Sequence, residues 1–406
     1  MTVEIRPIRP DEFEAYSLAI AVAFSESMSA AEIAEDLKIA EHDRQFAAFE
    51  GGEIVGGASA VSFRMTVPGG HTVATGGVPR VGVIPTYRRR GVNTALFRAH
   101  LDDMRVRGEP LSALHVSEAG IYSGFGYGQA SLLGELSVET SRSRFVIDHR
   151  PTGRVRLLPR DQALPLMRPV YDAVVRMRAG MIAVNDAWFS WRFAELESDR
   201  AERPCFFAVH ETDGTTDAYA VYRVKHNWPG DIPRNRLMIR ELMATTPEAT
   251  ADMWRFVFDI DLIHTVETGH LPSDDPLLWL VAEPRRLHFK LSDGVWIRLV
   301  DVPAALTARD YAEDGRVVLD VTDAFCSWNE GRYALEVSGG EVRCVTTDET
   351  PDVACSVNQV ASAYLGGASF AQLALAGRVT EASEGGLARA DALFRSEPAP
   401  WCSLPF

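Results

Sequence analysis

Cysteine is scarce and scattered, with five residues (Cys205, Cys326, Cys344, Cys355 and Cys402) among 406 and no C-x-x-C pair. An odd number without paired spacing supports neither a zinc site nor a disulfide framework, so free and mostly buried thiols are expected. No run of about 18 apolar residues occurs, which leaves no transmembrane helix to place. The opening residues Met1-Thr2-Val3-Glu4-Ile5-Arg6 lack a basic segment followed by an apolar core. No secretory signal is read there, and a cytoplasmic chain away from the membrane is expected. Positive charge is also in deficit. A formal net charge of −15 disfavours nucleic-acid binding and suits cationic partners such as polyamines or amino sugars, although solubility alone explains much of such a surplus.

A chain of 406 residues exceeds one compact core, so two or three domains are expected. The stretch with most chemical content is Val81-Gly82-Val83-Ile84-Pro85-Thr86-Tyr87-Arg88-Arg89-Arg90-Gly91-Val92-Asn93. It reads as a short strand, a basic turn with one glycine, and a helix whose buried face carries Val92, Leu96, Phe97, His100, Leu101 and Met104. A helix N-terminus offers unpaired N–H groups and partial positive charge, and the arginines add charge-assisted donors. On composition alone this is either a solvated basic turn or a phosphate site.

The pattern around it predicts a mixed α/β layer. A strand over residues 2–8 leads to a helix capped at Asp11, with Phe13, Tyr16, Ile20 and Phe24 as its buried stripe. Strands are expected over Gln45–Glu50, Glu53–Val67 and His71–Val83, then the long helix, then Leu111–Val116, with Ser131–Val138 closing the unit. A second α/β unit follows, with a strand over Val155–Leu158, a helix over Gln162–Arg176, strands over Phe206–Val209, Ala218–Val224 and Leu237–Met243, a helix over Ala249–Phe258 and a strand over Gly294–Val300. No basic glycine turn recurs in it. A third, smaller unit begins at Asp301 and has strands over Val317–Val321, Tyr333–Ser338 and Glu341–Thr346. The chain ends in the apolar segment Trp401-Cys402-Ser403-Leu404-Pro405-Phe406, which is expected to pack into the body.

The V-x-V-x-P-x-x-R-R-R-G turn, followed about thirty residues later by Tyr122 and Tyr127, resembles that of the GNAT acyltransferases. Two further segments, His115-Val116-Ser117-Glu118-Ala119-Gly120-Ile121-Tyr122-Ser123-Gly124-Phe125-Gly126-Tyr127-Gly128 and Asp293 to Leu306, extend the resemblance to the Eis-type N-acetyltransferases over nearly the whole chain. The resemblance implies an N-terminal GNAT domain (1–150), a degenerate central GNAT-like domain (151–300) and a C-terminal sterol-carrier-protein-like domain (301–406). It also implies a homohexamer that uses acetyl-CoA and no metal. Carried over residue by residue, Val81, Gly82 and Val83 line the pantetheine. Arg88, Arg89, Arg90, Gly91, Val92, Asn93 and Thr94 form the pyrophosphate turn, with Ser117 and Glu118 nearby. Asn93 replaces the small residue common in the superfamily.

Tyr122 corresponds to the family's general acid, and its chemistry fits. Attack of an amine on a thioester expels a thiolate, and a phenol with a pKa of about 10 is protonated at neutral pH and able to donate. The plain alternative is a wall tyrosine, and Tyr127 reads as a packing aromatic. The resemblance assigns the amine side to the carboxylate of Phe406, either as base or as an orienting charge, and places Glu26 in contact with substrate. Without it Glu26 is a solvated helix-end carboxylate. His115, on the strand leading to Tyr122, borders the pocket or is simply packed. Pro405 and Arg80 depart from relatives, which carry an acidic and an aromatic residue there. The expected activity is acetyl-CoA-dependent N-acetylation of primary amines, with polycationic, aminoglycoside-type substrates implied by the resemblance. Acetylation of protein lysines, or a non-catalytic lipid- or sterol-binding role, are the alternatives.

Overall fold

The computed structural model describes residues 3–195 and 204–406. Thr2, the first residue of the expected N-terminal strand, lies outside them, and the strand runs Glu4–Pro7. The described residues form mixed α/β layers around sheets of four, six, seven and five strands.

The four-stranded sheet has the order Glu4–Pro7, Gln45–Glu50, Glu53–Ser59, Val81–Val83, with the last as its edge. The six-stranded sheet contains Val61–Thr66, Thr72–Gly77 and Leu111–Leu114. Two strands expected to be continuous are therefore each broken in two. Glu53–Val67 breaks at Ala60, and His71–Val83 breaks over Val78–Arg80, so the chain crosses twice between the sheets. The second crossing is held on both sides, by Val78 N–H on Ala113 O (2.8 Å) and by Ser59 N–H on Arg80 O (2.9 Å). Past it, the Val81–Val83 strand and the Leu111–Leu114 strand diverge into different sheets. A wedge opens between them.

The helix Val92–Val106 closes the wedge, and its buried residues are Val92, Leu96, Phe97, His100, Leu101 and Met104, as the periodicity predicts. The helix Phe13–Ala23 packs on the other side. Its entry differs from the expected Asp11 cap: Pro10–Glu12 is a 3₁₀ turn, and Glu12 accepts from Arg9 N–H (2.8 Å) while pairing with Arg6 (2.8 Å). Arg6 holds the Glu12 carboxyl down, at a pKa of about 2. Phe24 is 43% exposed rather than buried, because Ser25 turns the chain (φ +61°) just as the helix ends.

The strand expected to close the first unit does not do so. Leu132–Glu139 lies in the seven-stranded sheet, between Ile263–Pro272 and Lys290–Asp293. In exchange Trp296–Leu299, read as part of the second unit, pairs with Leu111–Leu114 and with Gly128–Gln129. The two segments pass each other at Ser131 and Gly294. Ser131 Oγ accepts from Val295 N–H (2.9 Å), and a Cβ on Gly294 would lie 2.4 Å from that hydroxyl. Glycine is what allows the crossing.

The rest of the seven-stranded sheet holds Arg154–Leu158, Phe206–Thr212, Thr215–Lys225 and Asn235–Ala244, flanked by the helices Arg160–Met177 and Pro247–Phe258. The third unit opens with the helix Val302–Thr307, capped by Asp301 on Ala304 N–H (2.9 Å), and its sheet joins Gly331–Ser338 to Glu341–Thr346 across Gly339-Gly340. One apolar core runs through all three regions, from Phe63 and Met65 through Met167 and Tyr171 to Leu319, Trp401 and Leu404. All five cysteines are free, and all but Cys205 are buried. Among the described residues no helix is long and apolar enough to cross a membrane.

Candidate active site

A cavity of about 640 Å³ occupies the wedge, lined by Val81, Gly82, Val83, Arg88, Arg89, Gly91, Val92, Asn93, Thr94, Ser117, Glu118 and Tyr122, with Ala23, Phe24, Ser25, Tyr87 and Ile121. One wall is a free β edge, since Val81–Val83 pairs only with Glu53–Ser59. Apart from Val83 O, which accepts from Arg88, this edge can take an extended amide chain as a further strand. Gly82 serves the helix rather than the cavity, for a Cβ there would lie 2.7 Å from Ala23 Cβ.

The turn at the wedge mouth is set by backbone conformation. Arg89 (φ +63°) and Gly91 (φ +80°) are both left-handed, which a glycine adopts without strain, and the helix begins at Val92. The first-turn amides of Val92, Asn93 and Thr94 have no intrahelical acceptor, and no acidic side chain occupies that turn. Space over Gly91 is open. Asn93 Oδ1 is buried without a hydrogen bond, an acceptor available to a bound amide or hydroxyl. The arginines divide their tasks. Arg88 donates to Ala23 O (2.7 Å) and Val83 O (3.2 Å), bracing the helix against the strand. Arg89 lines the cavity, whereas Arg90 lies outside it with its guanidinium 5.0 Å from the Tyr87 ring.

Tyr122 sits on the short helix Ala119–Ser123 and is 8% exposed at the cavity wall. Burial raises its pKa, opposed by a hydrogen bond from Ser117, and the charge of Glu118 raises it further. The phenol is therefore protonated at neutral pH. Tyr127 is fully enclosed with its hydroxyl on Ser112 Oγ (2.6 Å), a packing residue as its sequence context suggests.

A second cavity, of about 330 Å³, lies behind the same strand and helix. Consecutive residues Arg80 and Val81 line different cavities, as do Ile20 and Ala23 on one helix. The second cavity is walled by Phe13, Tyr16, Trp188, Trp191, Pro405 and Phe406, and the one acidic side chain in its lining is Asp36. Burial raises the Asp36 pKa, while Arg80 (3.3 Å) and Trp191 Nε1 (3.2 Å) stabilise its charge.

Phe406 reaches this cavity because the tail is tied down. Trp401 N–H bonds Ala179 O (2.9 Å), and Arg192 donates to Ser403 O (2.6 Å) and Ser403 Oγ (3.1 Å). Arg192 is buried in an ion pair with Glu241. His115 Nε2 meets Leu404 O at 3.1 Å, and its ring packs edge-on against Phe406 (5.2 Å), as does Phe63 (5.2 Å). Burial pushes the His115 pKa down to about 4, so the ring is neutral and Nε2 donates.

The wedge thus gathers the sequence-derived residues Val81 to Val83, Arg88, Arg89, Gly91 to Thr94, Ser117, Glu118 and Tyr122. Phe406 stands in the second cavity. His115 lines neither cavity and buttresses the tail from behind. Glu26 is exposed and borders neither, because its amide closes the turn onto Ala21 O (2.9 Å) and points the segment outward. Asp36, Trp188 and Trp191 were not anticipated. Trp188 and Trp191 belong to the helix Asp186–Arg192, whose tryptophan spacing of three was a readable sign of one shared face.

Comparison with known proteins agrees with this architecture. Residues 4–130 and 180–299 each match a family of acetyltransferase (GNAT) domains, and residues 302–403 match the sterol carrier protein domain. The chain is 40% identical to an uncharacterised N-acetyltransferase of Streptomyces avermitilis, over 99% of both chains. It is 33% identical to the N-acetyltransferase Eis of Mycobacterium tuberculosis, over 86% of this chain and 84% of that one. The crystal structure of Eis1 from Mycobacterium abscessus superposes with a TM-score of 0.86 at 32% identity, over 99% of this chain and all of that one. The chain therefore belongs to the Eis-type N-acetyltransferases, acetyltransferase enzymes with an N-terminal and a central GNAT domain and a C-terminal sterol-carrier-like domain.

Proposed function

We propose that this chain transfers the acetyl group of acetyl-CoA directly to a primary amine within a ternary complex. The observation that carries this reading is the single cavity that joins a free β edge, a glycine-containing basic turn at a helix N-terminus and a protonated Tyr122. Bound acetyl-CoA supplies an activated acetyl group whose leaving thiolate needs a proton.

In this reading the Val81–Val83 edge holds the pantetheine arm and Asn93 Oδ1 accepts from it. The amides of Val92, Asn93 and Thr94, with Arg89, hold the pyrophosphate. Arg88 fixes the cavity wall by bracing the helix Phe13–Ala23 against the Val81–Val83 strand. Ser117 orients the Tyr122 hydroxyl, which donates to the leaving sulfur. The carboxylate of Phe406, the last residue of the sequence given, serves the amine, either taking its proton or balancing the positive charge that develops on it.

Polycationic amines of the aminoglycoside class are the proposed substrates. The family resemblance and the net charge of −15 both support them, and Asp36 with the indoles of Trp188 and Trp191 offers a cation one carboxylate and two π faces. A cytoplasmic homohexamer is proposed on the same resemblance. The test is release of free thiol from acetyl-CoA across a panel of amines that includes aminoglycosides and lysyl peptides, with mass spectrometry of the products. No release with any amine refutes the proposal, and release with peptides alone makes the enzyme a protein-lysine acetyltransferase.

A further inference from the structure

The sterol-carrier-like domain presses on the loop that carries Tyr122, and the contact is built from named groups. Its helix Val357–Tyr364 lies against Gly128, where a Cβ would stand 2.0 Å from Asn358 O. From that helix the Asn358 side chain donates both hydrogens of Nδ2, one to Ser123 O (2.8 Å) and one to Tyr127 O (2.8 Å). Both of these partners are carbonyls, which can only accept, so the amide has one orientation that satisfies them, with Oδ1 turned to Ser356 Oγ (3.0 Å). Ser123 ends the Tyr122 helix, and its carbonyl takes the Asn358 hydrogen beside that of Gly126 N–H (3.1 Å). Asn358 thus ties the two ends of the loop 123–127 together from a different domain.

Two more contacts from that domain meet the same loop. Phe325 packs edge-on against Phe125 (5.0 Å), which stacks on Phe97 (4.2 Å), and Phe97 in turn meets Tyr122 (5.9 Å). Asp323 is ion-paired with the buried Arg298, whose guanidinium fills the space a Cβ on Gly126 would need.

We infer that Asn358 is a positioning residue for Tyr122, and that the sterol-carrier-like domain serves the reaction by fixing the loop behind the proton donor. This rests on Tyr122 being that donor. The side-chain hydrogen bonds of Asn358 go to Ser123, Tyr127 and Ser356 and not to residues 81–94, so the effect belongs to turnover and not to acetyl-CoA binding.

The test is a four-protein cycle on the full chain: wild type, Asn358→Asp, Tyr122→Phe and the double variant. Each is assayed by thiol release with acetyl-CoA and the fastest amine of the panel, and by amide hydrogen exchange. Aspartate keeps the volume of Asn358 and the bond from Ser356 but withdraws both donated hydrogens. In Asn358→Asp, kcat is expected to fall about tenfold with the acetyl-CoA KM within about twofold, and exchange over 119–128 to rise while 81–94 stays protected. In the Tyr122→Phe background the same substitution is expected to change kcat by less than about twofold. Equal losses in both backgrounds, or unchanged kcat or exchange in Asn358→Asp, overturn the positioning role and leave Tyr122 in place. Full turnover in Tyr122→Phe overturns the acid assignment and the positioning role with it. Should Asn358→Asp fail to fold, Asn358→Ser removes the same donations and must show the same split.

Discussion

Replacing Arg192 by methionine is expected to separate the stability of the tail from its function. Arg192 is 3% exposed, pairs with the equally buried Glu241, donates twice to Ser403 and lies 5.4 Å from the Tyr171 ring centroid. Methionine keeps most of the volume but leaves Glu241 buried without its cation. Removing one partner of such a pair costs about 3 to 5 kcal/mol, which for a chain of this size lowers Tm by about 4 to 6 °C. The loss depends on pH in a definite direction. Burial already raises the Glu241 pKa, with Arg192 as the largest opposing influence, so the variant raises it further. A carboxyl with a folded pKa above its unfolded value gives stability that is present below the unfolded pKa and lost as pH rises through the folded one. Arg192→Met is therefore expected to melt lowest above neutral pH and to recover towards wild type on acidification towards pH ~4.5. The double variant Arg192→Met/Glu241→Gln removes the orphaned charge, keeps an acceptor for the buried Tyr219 hydroxyl and should regain most of the stability at pH 7. It cannot regain the two bonds to Ser403. The amine kcat/KM should thus stay depressed about tenfold while the acetyl-CoA KM is unchanged. Thermal melts across pH and steady-state kinetics of the three proteins decide the matter. Unchanged melting of Arg192→Met at pH 7, or full amine kinetics in the double variant, refutes the reasoning.

Tyr122→Phe should lower kcat about a hundredfold with acetyl-CoA affinity, read by calorimetry, unaltered. Gly91→Ala meets no steric obstacle but places an L side chain at φ +80°, so about 1 to 2 kcal/mol of strain is expected, seen as a raised acetyl-CoA KM. Appending one glycine after Phe406 moves the carboxylate and changes no side chain. It should depress amine turnover while melting as wild type does, and full activity would remove the carboxylate from the reaction.

What the sequence made legible is what depends on neighbours along the chain. The buried stripe Val92 to Met104 and the glycine at the turn follow from local spacing, and so does the apolar tail, while the domain order comes from the family resemblance. Strand partnership does not. Leu132–Glu139 and Trp296–Leu299 read correctly as strands, but nothing in their alternation says which sheet each joins, and only Gly294 beside a small Ser131 marks where they cross. The second cavity was hidden for the same reason, since Asp36, Arg80, Trp188 and Phe406 come from four distant segments. The tail anchor did leave a trace. In the strand Asn235–Ala244 the buried positions fall at every second residue, Leu237, Ile239, Glu241 and Met243, and a carboxylate at a buried position demands a buried cation.

The exchange of strands between the two GNAT domains also constrains how the protein is made. Trp296 pairs with Leu114, so the sheet that bears the first domain's wedge lacks an interior strand until the ribosome has delivered residue 299. The donated Leu132–Glu139 strand waits meanwhile for Ile263–Pro272 and Lys290–Asp293 on either side. Neither domain can complete its hydrogen bonding as it emerges, and the two close together in one late, non-local step. A nascent chain cut anywhere before residue 299 would expose open sheet edges on both sides. The same arrangement delays completion of the wedge until the second domain has been made.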